Sequence, residues 1–213
     1  MARSTKEEAL ETRSRILDAA ETVFHANGVA RTSLADVASA AQVTRGAIYW
    51  HFKNKADVFN AMCERVRLPM EAMVQANDGA KAMETLRAAC LFSIRDIVHT
   101  PRSRKVFDIM FHKCEFVDAE DSIWARQREN YMRGMGNIER LLKAARATAQ
   151  LPADLDIALA VVHVHALIYG LINNWLLSPA SFDLGGKVEQ LMDAGFDALR
   201  YAPSLRLRSP HLD

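Results

Sequence analysis

Residues 44–55 read TRGAIYWHFKNK, a stretch richer in aromatic and basic side chains than an ordinary core helix. Thr44 is a favourable N-cap for a short helix that begins at Arg45. On that helix Ile48 and Phe52 lie four residues apart on one side, where they can pack on neighbouring helices. The side chains that point away from this side or flank it are Arg45, Gly46, Ala47, Tyr49 and Trp50. The pattern predicts a helix that is anchored by one face and open to a ligand on the other.

The preceding sequence supplies two helices that would hold this one. Apolar side chains at three- and four-residue steps predict a helix over about residues 6–26, and Gly28 suits a left-handed C-cap. Ser33 and Asp36 have the spacing of a capping box at the start of a short helix over about 34–41. A three-residue turn, 41–43, then leads into the stretch quoted above. This arrangement is typical of a helix-turn-helix whose last helix enters the major groove of DNA.

The helix from Arg45 to about His51 is called the reader helix below. Its side chains and those beside it suit particular parts of DNA. The Arg45 guanidinium can pair with a guanine edge, which is worth roughly 1–3 kcal/mol of base discrimination. Thr44, Tyr49 and His51 can donate to phosphates, and Trp50 offers apolar surface to the sugar-phosphate wall or a thymine methyl. Lys55 and Ser33 stand at helix starts, where a phosphate is favoured. The predicted DNA-binding residues are Ser33, Thr44, Arg45, Gly46, Ala47, Tyr49, Trp50, His51 and Lys55. The alternative is that Tyr49 and Trp50 are core aromatics and that Ser33 is only a cap.

Composition places few limits on function. The 213 residues have a net charge of +1 and are 50% hydrophobic, so a sizeable core is possible. Residues 1–55 hold eight basic and six acidic side chains, a net +2, and a phosphate-binding face needs only such a local patch. The three cysteines are far apart and lack CxxC spacing, which fits a reduced cytoplasmic setting. The charged N-terminus lacks the apolar segment of a signal peptide.

The rest of the chain, residues 55–213, also has helical periodicity throughout. The helices are predicted over about 55–77, 82–99, 101–115, 120–148, 154–177 and 184–200, which makes about nine in an all-α fold. Polar residues interrupt the apolar run from Ile157 to Leu177, so it is interpreted as a buried helix rather than a membrane span. The polar tail, residues 204–213, is expected to fray.

At this point the sequence resembles a known family. The string TSLADVASAAQVTRGAIYWHFKNKADVF at 32–59 is similar to the DNA-binding signature of TetR-family repressors. The strings FHKCEF at 111–116, LPADL at 151–155 and NWLLSPASFDL at 174–184 resemble the AcrR/TtgR branch, whose members repress multidrug efflux operons. The resemblance implies a helix-turn-helix domain, residues 1–54, and a ligand-binding and dimerisation domain, residues 55–213. It also implies a homodimer on a near-palindromic operator, released by a small hydrophobic or aromatic effector.

Two further sets of residues are predicted for the second domain. Large side chains on three helices can converge on an effector: Phe107, Met110, Phe111, Tyr131, Met135, His165, Ile168 and Tyr169. A dimer interface from the last two helices would use Leu171, Trp175, Leu191, Phe196 and Leu199. For both sets the alternative is ordinary core packing. The preferred charge of the effector stays open, because Arg67 argues against cations whereas Glu71 or Glu64 would attract them.

Other function classes find little support. His163 and His165 are two residues apart, so on one helix their rings point about 200° apart and cannot chelate together. The same holds for His112 and Cys114, and no metal or cofactor is expected. The sequence has no nucleophile elbow, phosphate loop or paired carboxylates in a recognisable frame, so no enzyme is predicted. The remaining alternative is a helical ligand-binding or protein-interaction module without operator-specific DNA binding.

Overall fold

A computed structural model describes residues 6–75, 79–114 and 122–207. Within those ranges the regular structure is helical apart from one antiparallel bridge between Leu155 and Arg206, as the all-α prediction requires. The α-helices are α1 (Lys6–Asn27), α2 (Leu34–Ala40), α3 (Arg45–His51), α4 (Lys55–Gln75), α5 (Ala82–His99), α6 (Pro101–His112), α7 (Ser122–Ala147), α8 (Ile157–Leu177) and α9 (Leu184–Tyr201). A 3-10 turn, Pro203–Leu205, follows α9.

Capping residues set the helix ends as predicted. The Ser33 hydroxyl accepts from the Asp36 amide at 3.2 Å, and the Asp36 carboxylate accepts from the Ser33 amide at 2.8 Å, which completes the capping box. Thr44 Oγ1 accepts from the Ala47 amide at 3.1 Å and starts α3. Gly28 has a φ of +81°, the left-handed conformation that ends α1. Local sequence therefore fixes where the reader helix begins and how the chain turns into it.

The chain divides into two compact units. The first, Met1–Leu68 with Pro101–Arg128, contains α1, α2, α3, most of α4, and α6. Its core joins side chains from each of those helices, among them Phe24, Val37, Ile48, Phe59 and Ile109. Since α6 packs on α1 in this unit, packing groups α6 with the N-terminal helices. The functional boundary at residue 54 stays a prediction.

The second unit, Pro69–Thr100 with Glu129–Asp213, is built on α5, α8 and α9 and includes most of α7. α9 packs against both α5 and α8. Its approach to α8 is close, because a Cβ built on Gly195 would lie 2.2 Å from Leu167 Cδ2. Ile94, Leu142, Val164 and Met192 are among its buried core side chains.

Two predictions about the C-terminal region were wrong. α8 begins at Ile157 rather than near 154, because Leu155 pairs with Arg206 and Asp156 caps the helix through the Leu159 amide at 3.1 Å. The tail is not frayed over 204–207: Leu205 is buried, and its carbonyl accepts from the Asp156 amide at 2.9 Å. Residues 208–213 of the predicted tail lie outside the described residues.

Candidate nucleic-acid interface

The reader helix α3 has one buried face and one exposed face. Ile48 and Phe52 are 0% and 4% exposed and anchor it in the core of the first unit. Tyr49 and Trp50 are 54% and 73% exposed, which is unusual for side chains of that size. The alternative that these two are core aromatics is therefore wrong. The aromatic side chains of α3 are therefore accessible to a binding partner.

The first turn of α3 is open to close approach. Arg45 and Gly46 are exposed. A Cβ added to Gly46 would meet Thr44 Oγ1 at 3.8 Å, an ordinary van der Waals contact. Packing within the chain therefore does not require glycine here, although glycine weakens a helix by roughly 0.5–1 kcal/mol relative to alanine. A small residue beside an exposed arginine suits a backbone that approaches a base edge.

His51 closes the helix in surroundings that disfavour the charged imidazolium. Burial, and then the charge of the nearby Arg13 guanidinium, lower the pKa of His51 below its ordinary 6.5. Its ring meets the Trp50 ring edge-on at 4.5 Å, while Arg13 lies 5.1 Å from the centre of the Phe52 ring. A neutral His51 can donate one hydrogen bond to a phosphate but adds no positive charge.

A cleft of about 470 Å³ lies beside the exposed face of α3. It is lined by Ala30, Arg31, Thr32, Ser33, Leu34, Tyr49, Lys53, Asn54 and Lys55. Three basic side chains and a phenol on one concave surface make a site suited to an anion. Arg31 and Lys53 were missed by the sequence reasoning, which counted them among basic residues but gave them no role. The signal was available, since Arg31 is two residues from Ser33 and Lys53 is two residues from Lys55.

Two predicted phosphate contacts already have partners within the chain. The Lys55 ammonium donates to the carbonyls of Val29 and Ala30, at 2.8 and 3.0 Å. The Ser33 hydroxyl donates to Asp36 Oδ2 at 2.7 Å, so its proton serves the capping box. Both residues line the cleft. Their contact with DNA stays a prediction, whereas their bracing of the turn between α1 and α2 is observed.

Comparisons with known proteins agree with this geometry. Residues 16–62 match the family described as bacterial regulatory proteins, tetR family. Residues 81–201 match the C-terminal region of MAATS-type transcriptional repressors. The chain belongs to the TetR family. The predicted resemblance is therefore confirmed by one match in the N-terminal region and one in the C-terminal region of this TetR-family protein.

Three relatives are similar over almost the full chain. The transcriptional regulator TtgR of Pseudomonas putida is 41% identical over 209 residues, covering 97% of this chain and all of TtgR. The crystal structure of NalD, the secondary repressor of the MexAB-OprM multidrug efflux pump in Pseudomonas aeruginosa, has a TM-score of 0.80 at 34% identity and covers 92% of this chain and 100% of its own. A complex of SmeT with triclosan has a TM-score of 0.79 at 31% identity, with coverages of 94% and 100%. SmeT is the repressor of the Stenotrophomonas maltophilia pump SmeDEF.

The structure divides the predicted effector residues of this TetR-family protein between its two units. In the second unit, the Tyr131 ring meets the His165 ring edge-on at 5.0 Å, and His165 stacks on Tyr169 at 6.0 Å. In the first unit, Phe107 and Phe111 are partners along α6 at 6.3 Å. The remaining members, Met110, Met135 and Ile168, are half-buried. Burial lowers the pKa of His165 below its ordinary 6.5, which disfavours the charged imidazolium in this cluster.

The predicted dimer residues need correction. Trp175, Phe196 and Leu199 are 5%, 3% and 0% exposed, so they belong to the core of the second unit within one chain. Leu171 and Leu191 are half-buried. The apolar side chains that α8 does expose are Leu159, Val162, Tyr169 and Leu177, at 43%, 53%, 50% and 65%. Three of the five predicted interface residues thus belong to the inner stripe of one chain, whereas the interface role of Leu171 and Leu191 stays a prediction.

α8 is a core helix along one side, as predicted, and leaves another side exposed. Its buried residues are Ile157, Ala160, Val161, Val164, Ile172 and Trp175. Within the described part of the chain, α8 is long and apolar enough to cross a membrane by length and composition alone. Only 22% of its most apolar stretch is buried. Its exposed apolar residues lie within about 80° of arc at ~100° per residue. A soluble protein does not usually leave so continuous an apolar stripe in water.

Proposed function

We propose that this TetR-family protein is a homodimeric transcriptional repressor that controls a multidrug efflux operon and is released from DNA by an aromatic compound. The observation that carries the proposal is the exposed face of α3, where Tyr49 and Trp50 stand next to Arg45 and a basic cleft. The efflux assignment is supported by NalD and SmeT, which repress efflux pumps and resemble the chain over more than nine-tenths of its length.

Operator recognition has a direct test. The DNA upstream of the protein's own gene should bind in a fluorescence anisotropy titration, with affinity that falls steeply as salt rises. In a binding-site selection, Arg45→Ala should lose preference at one base pair in each half-site, because the bidentate contact is worth roughly 1–3 kcal/mol. Unchanged preference would contradict the base contact of Arg45. Failure of the wild type to bind at ~50 mM salt would favour a ligand-binding or interaction module instead.

Dimerisation is proposed through the exposed stripe of α8. One reader helix buries too little surface for tight specific binding, and two copies one helical turn apart would suffice. Leu159, Val162 and Leu177 of this stripe are the apolar surface that a second copy would cover, whereas Tyr169 stays with the His165 ring. A glutamate at position 162 would bury an unpaired charge in that interface.

The matched variants are Val162→Glu and Ala147→Glu, which both place a new carboxylate on an exposed helical position of the second unit. Light scattering coupled to size-exclusion chromatography should give a dimer for the wild type and Ala147→Glu, and a monomer for Val162→Glu. If Val162→Glu remains a dimer with unchanged operator affinity, α8 is not the interface.

The effector is proposed to be a neutral aromatic compound that contacts the Tyr131–His165–Tyr169 cluster. The cluster offers ring faces and an imidazole whose pKa is lowered by burial, so its charged form is disfavoured. The buried carboxylate of Glu71 has Arg133 Nη1 at 3.7 Å, so it is compensated within the same unit and is a poor attractor for cations. Neutral ligands are therefore favoured over cationic ones.

Triclosan is a suitable probe because it forms a complex with SmeT. It should raise the melting temperature of the wild type and weaken operator binding. Tyr131→Ala should reduce both effects, whereas Tyr201→Ala, a 74% exposed tyrosine of the same unit, should not. Equal shifts in all three proteins would exclude the cluster from the effector site.

Regulation rather than catalysis is the activity that the relatives' names describe. We infer that the chain is not an enzyme and that it acts in the cytoplasm, where operator DNA is found. In that setting α8 is an interface helix rather than a membrane span.

A further inference from the structure

Two carboxylates of α1 are held by arginines from two other helices of the first unit. Arg65 of α4 donates through Nη1 to Asp18 Oδ1 and to Glu21 Oε1, both at 2.8 Å. Arg102 of α6 donates through Nη2 to Asp18 Oδ1 at 2.7 Å and through Nε to Glu21 Oε2 at 3.2 Å. Each arginine thus bridges the same pair of carboxylates. These four residues are called the α1 ion cluster below.

One carboxylate of the cluster is buried, which distinguishes it from a surface ion pair, although the Arg102 and Asp18 side chains are 47% and 48% exposed. Glu21 is 5% exposed, and each of its two oxygens has an arginine donor. The Arg65 side chain is 20% exposed and donates a further bond to Ser14 Oγ at 2.8 Å. A buried carboxylate is stable only while its partners remain in place, because a lone buried charge is strongly disfavoured. Glu21 therefore restricts how far α4 or α6 can shift along α1.

The two arginines stand beside the points where the chain passes between the two units. Arg65 comes three residues before the passage at Leu68–Pro69, and Arg102 comes two residues after the passage at Thr100–Pro101. A displacement that arises in the second unit and travels along the chain must pass through one of these points or the third, at Arg128–Glu129. Two of the three passages thus lead within one helical turn to the same carboxylates.

Further hydrogen bonds join α6 and the residues just after it to α1 and the turn that follows α1. Asp108 of α6 accepts from His25 of α1 at 3.1 Å and from His112 at 2.8 Å. The Lys113 carbonyl, just after α6, accepts from the Val29 amide at 2.9 Å, at the turn that leads to α2. Contacts at the start and middle of α6 therefore tie it to α1, and a contact just after α6 ties the chain to the turn that follows α1.

We propose that the α1 ion cluster sets the orientation of the DNA-reading helices and that Arg102 is a positioning residue for operator binding. α1 shares one core with Ile48 of the reader helix, so a tilt of α1 moves α3 with it. The cluster transmits the position of α4 and α6 to α1 by direct hydrogen bonds. This role rests on the proposed repressor function, but its geometric part can be measured without DNA.

The geometric experiment uses paired spin labels in one chain. Ala40→Cys at the end of α2 and Ala147→Cys at the end of α7 are exposed attachment sites in different units. Cys63 and Cys90 are buried, and Cys114→Ser removes the half-buried third thiol. Labelled chains diluted into unlabelled protein give the intrachain distance distribution by pulsed electron resonance. Arg102→Ala should broaden that distribution, and Arg102→Lys should restore part of it, because lysine keeps the charge but lacks the planar fork.

The matched control is Arg87→Ala. Arg87 makes a bidentate pair with Asp193, at 2.6 and 2.9 Å, on the exposed side of the second unit. Arg87→Ala also breaks an arginine–carboxylate pair, but at a position distant in sequence from the points where the chain passes between the units. It should therefore leave the distance distribution and the operator affinity at wild-type values. Arg102→Ala, on unlabelled protein, should weaken operator binding about threefold to tenfold, in proportion to the lost fraction of the DNA-competent orientation.

The outcomes separate the two proposals. If Arg102→Ala matches Arg87→Ala in both measurements, the positioning role is overturned. If the wild type does not bind operator but Arg102→Ala broadens the distances, the repressor function fails and the orienting role of the cluster stands. Broadening together with weaker binding and partial rescue by lysine supports both. An equal loss of melting temperature in both variants with no broadening means a stabilising ion pair only, and that also overturns the proposal.

Discussion

Lys53 and Lys55 lie two residues apart in the same cleft, but the structure gives them different tasks. The Lys55 ammonium donates to the Val29 and Ala30 carbonyls, which braces the turn before α2. Lys53 is exposed beside it and suits a phosphate contact. We predict that Lys55→Met weakens operator binding because it destabilises the turn before α2. Lys53→Met should weaken it because a positive charge beside the DNA phosphates is lost.

The expected magnitudes differ in kind. Lys55→Met removes two hydrogen bonds from a charged donor, each worth at most about 1.5–3 kcal/mol. Because the side chain is only half-buried, we expect the free energy of unfolding to fall by about 1–3 kcal/mol in total. Each kcal/mol lowers the melting temperature by roughly 2–4 °C in a chain of this size. Lys53→Met should change stability by less than about 0.5 kcal/mol. In a dimer it removes two phosphate contacts, so the logarithmic salt slope should fall by about 1.8.

The assay is a titration of operator DNA with each protein between ~50 and ~200 mM salt, alongside thermal melts. For Lys53→Met the loss of affinity relative to wild type should shrink roughly tenfold across that range, since the missing contacts matter less at high salt. For Lys55→Met the relative loss should stay constant. If Lys55→Met instead lowers the salt slope and leaves the melting temperature unchanged, Lys55 contacts phosphate and the bracing role is wrong.

Two further changes separate stability from binding. Gly46→Ala should stabilise the fold by about 0.5–1 kcal/mol and still weaken operator binding, because the added methyl meets DNA rather than protein; tighter binding in anisotropy would refute close approach. His165→Phe should change the pH dependence of stability. Since burial lowers the pKa of His165 below 6.5, the unfolded chain binds its proton more readily, so stability falls as pH drops below 6.5. Melts from pH 8 to 5 should show a smaller loss in the phenylalanine variant, and parallel curves would exclude this contribution.

Local signals made the first three helices, α1 to α3, predictable. The ends of α2 and α3 follow from Ser33 and Thr44, whose side chains cap the nearest amides, and the end of α1 follows from Gly28. The inward face of α3 follows from the four-residue step between Ile48 and Phe52. All of these depend on residues within a few positions of one another, which a single sequence displays directly.

Partners that are distant along the chain were not predictable in the same way. Lys55 reaches a carbonyl 26 residues away, and Arg102 reaches Glu21, 81 residues away. Nothing in either segment marks the other as its neighbour. Trp175 was assigned to the interface for a related reason: α8 is apolar on more than one side, and periodicity does not distinguish a stripe that faces the chain's own core from a stripe that is exposed.

These observations change how the reader helix is understood. α3 has seven residues, and we propose that Arg45 is its chief base contact. Much of the surrounding structure serves to place it: the Lys55 brace, the capping box at Ser33 and the α1 ion cluster. Substitutions in that frame should therefore change affinity without changing the preferred sequence, whereas Arg45→Ala should change the preference itself. Binding-site selection on Lys55→Met and Arg45→Ala side by side would decide this. An altered consensus from Lys55→Met would mean that placement and base reading cannot be separated in this protein.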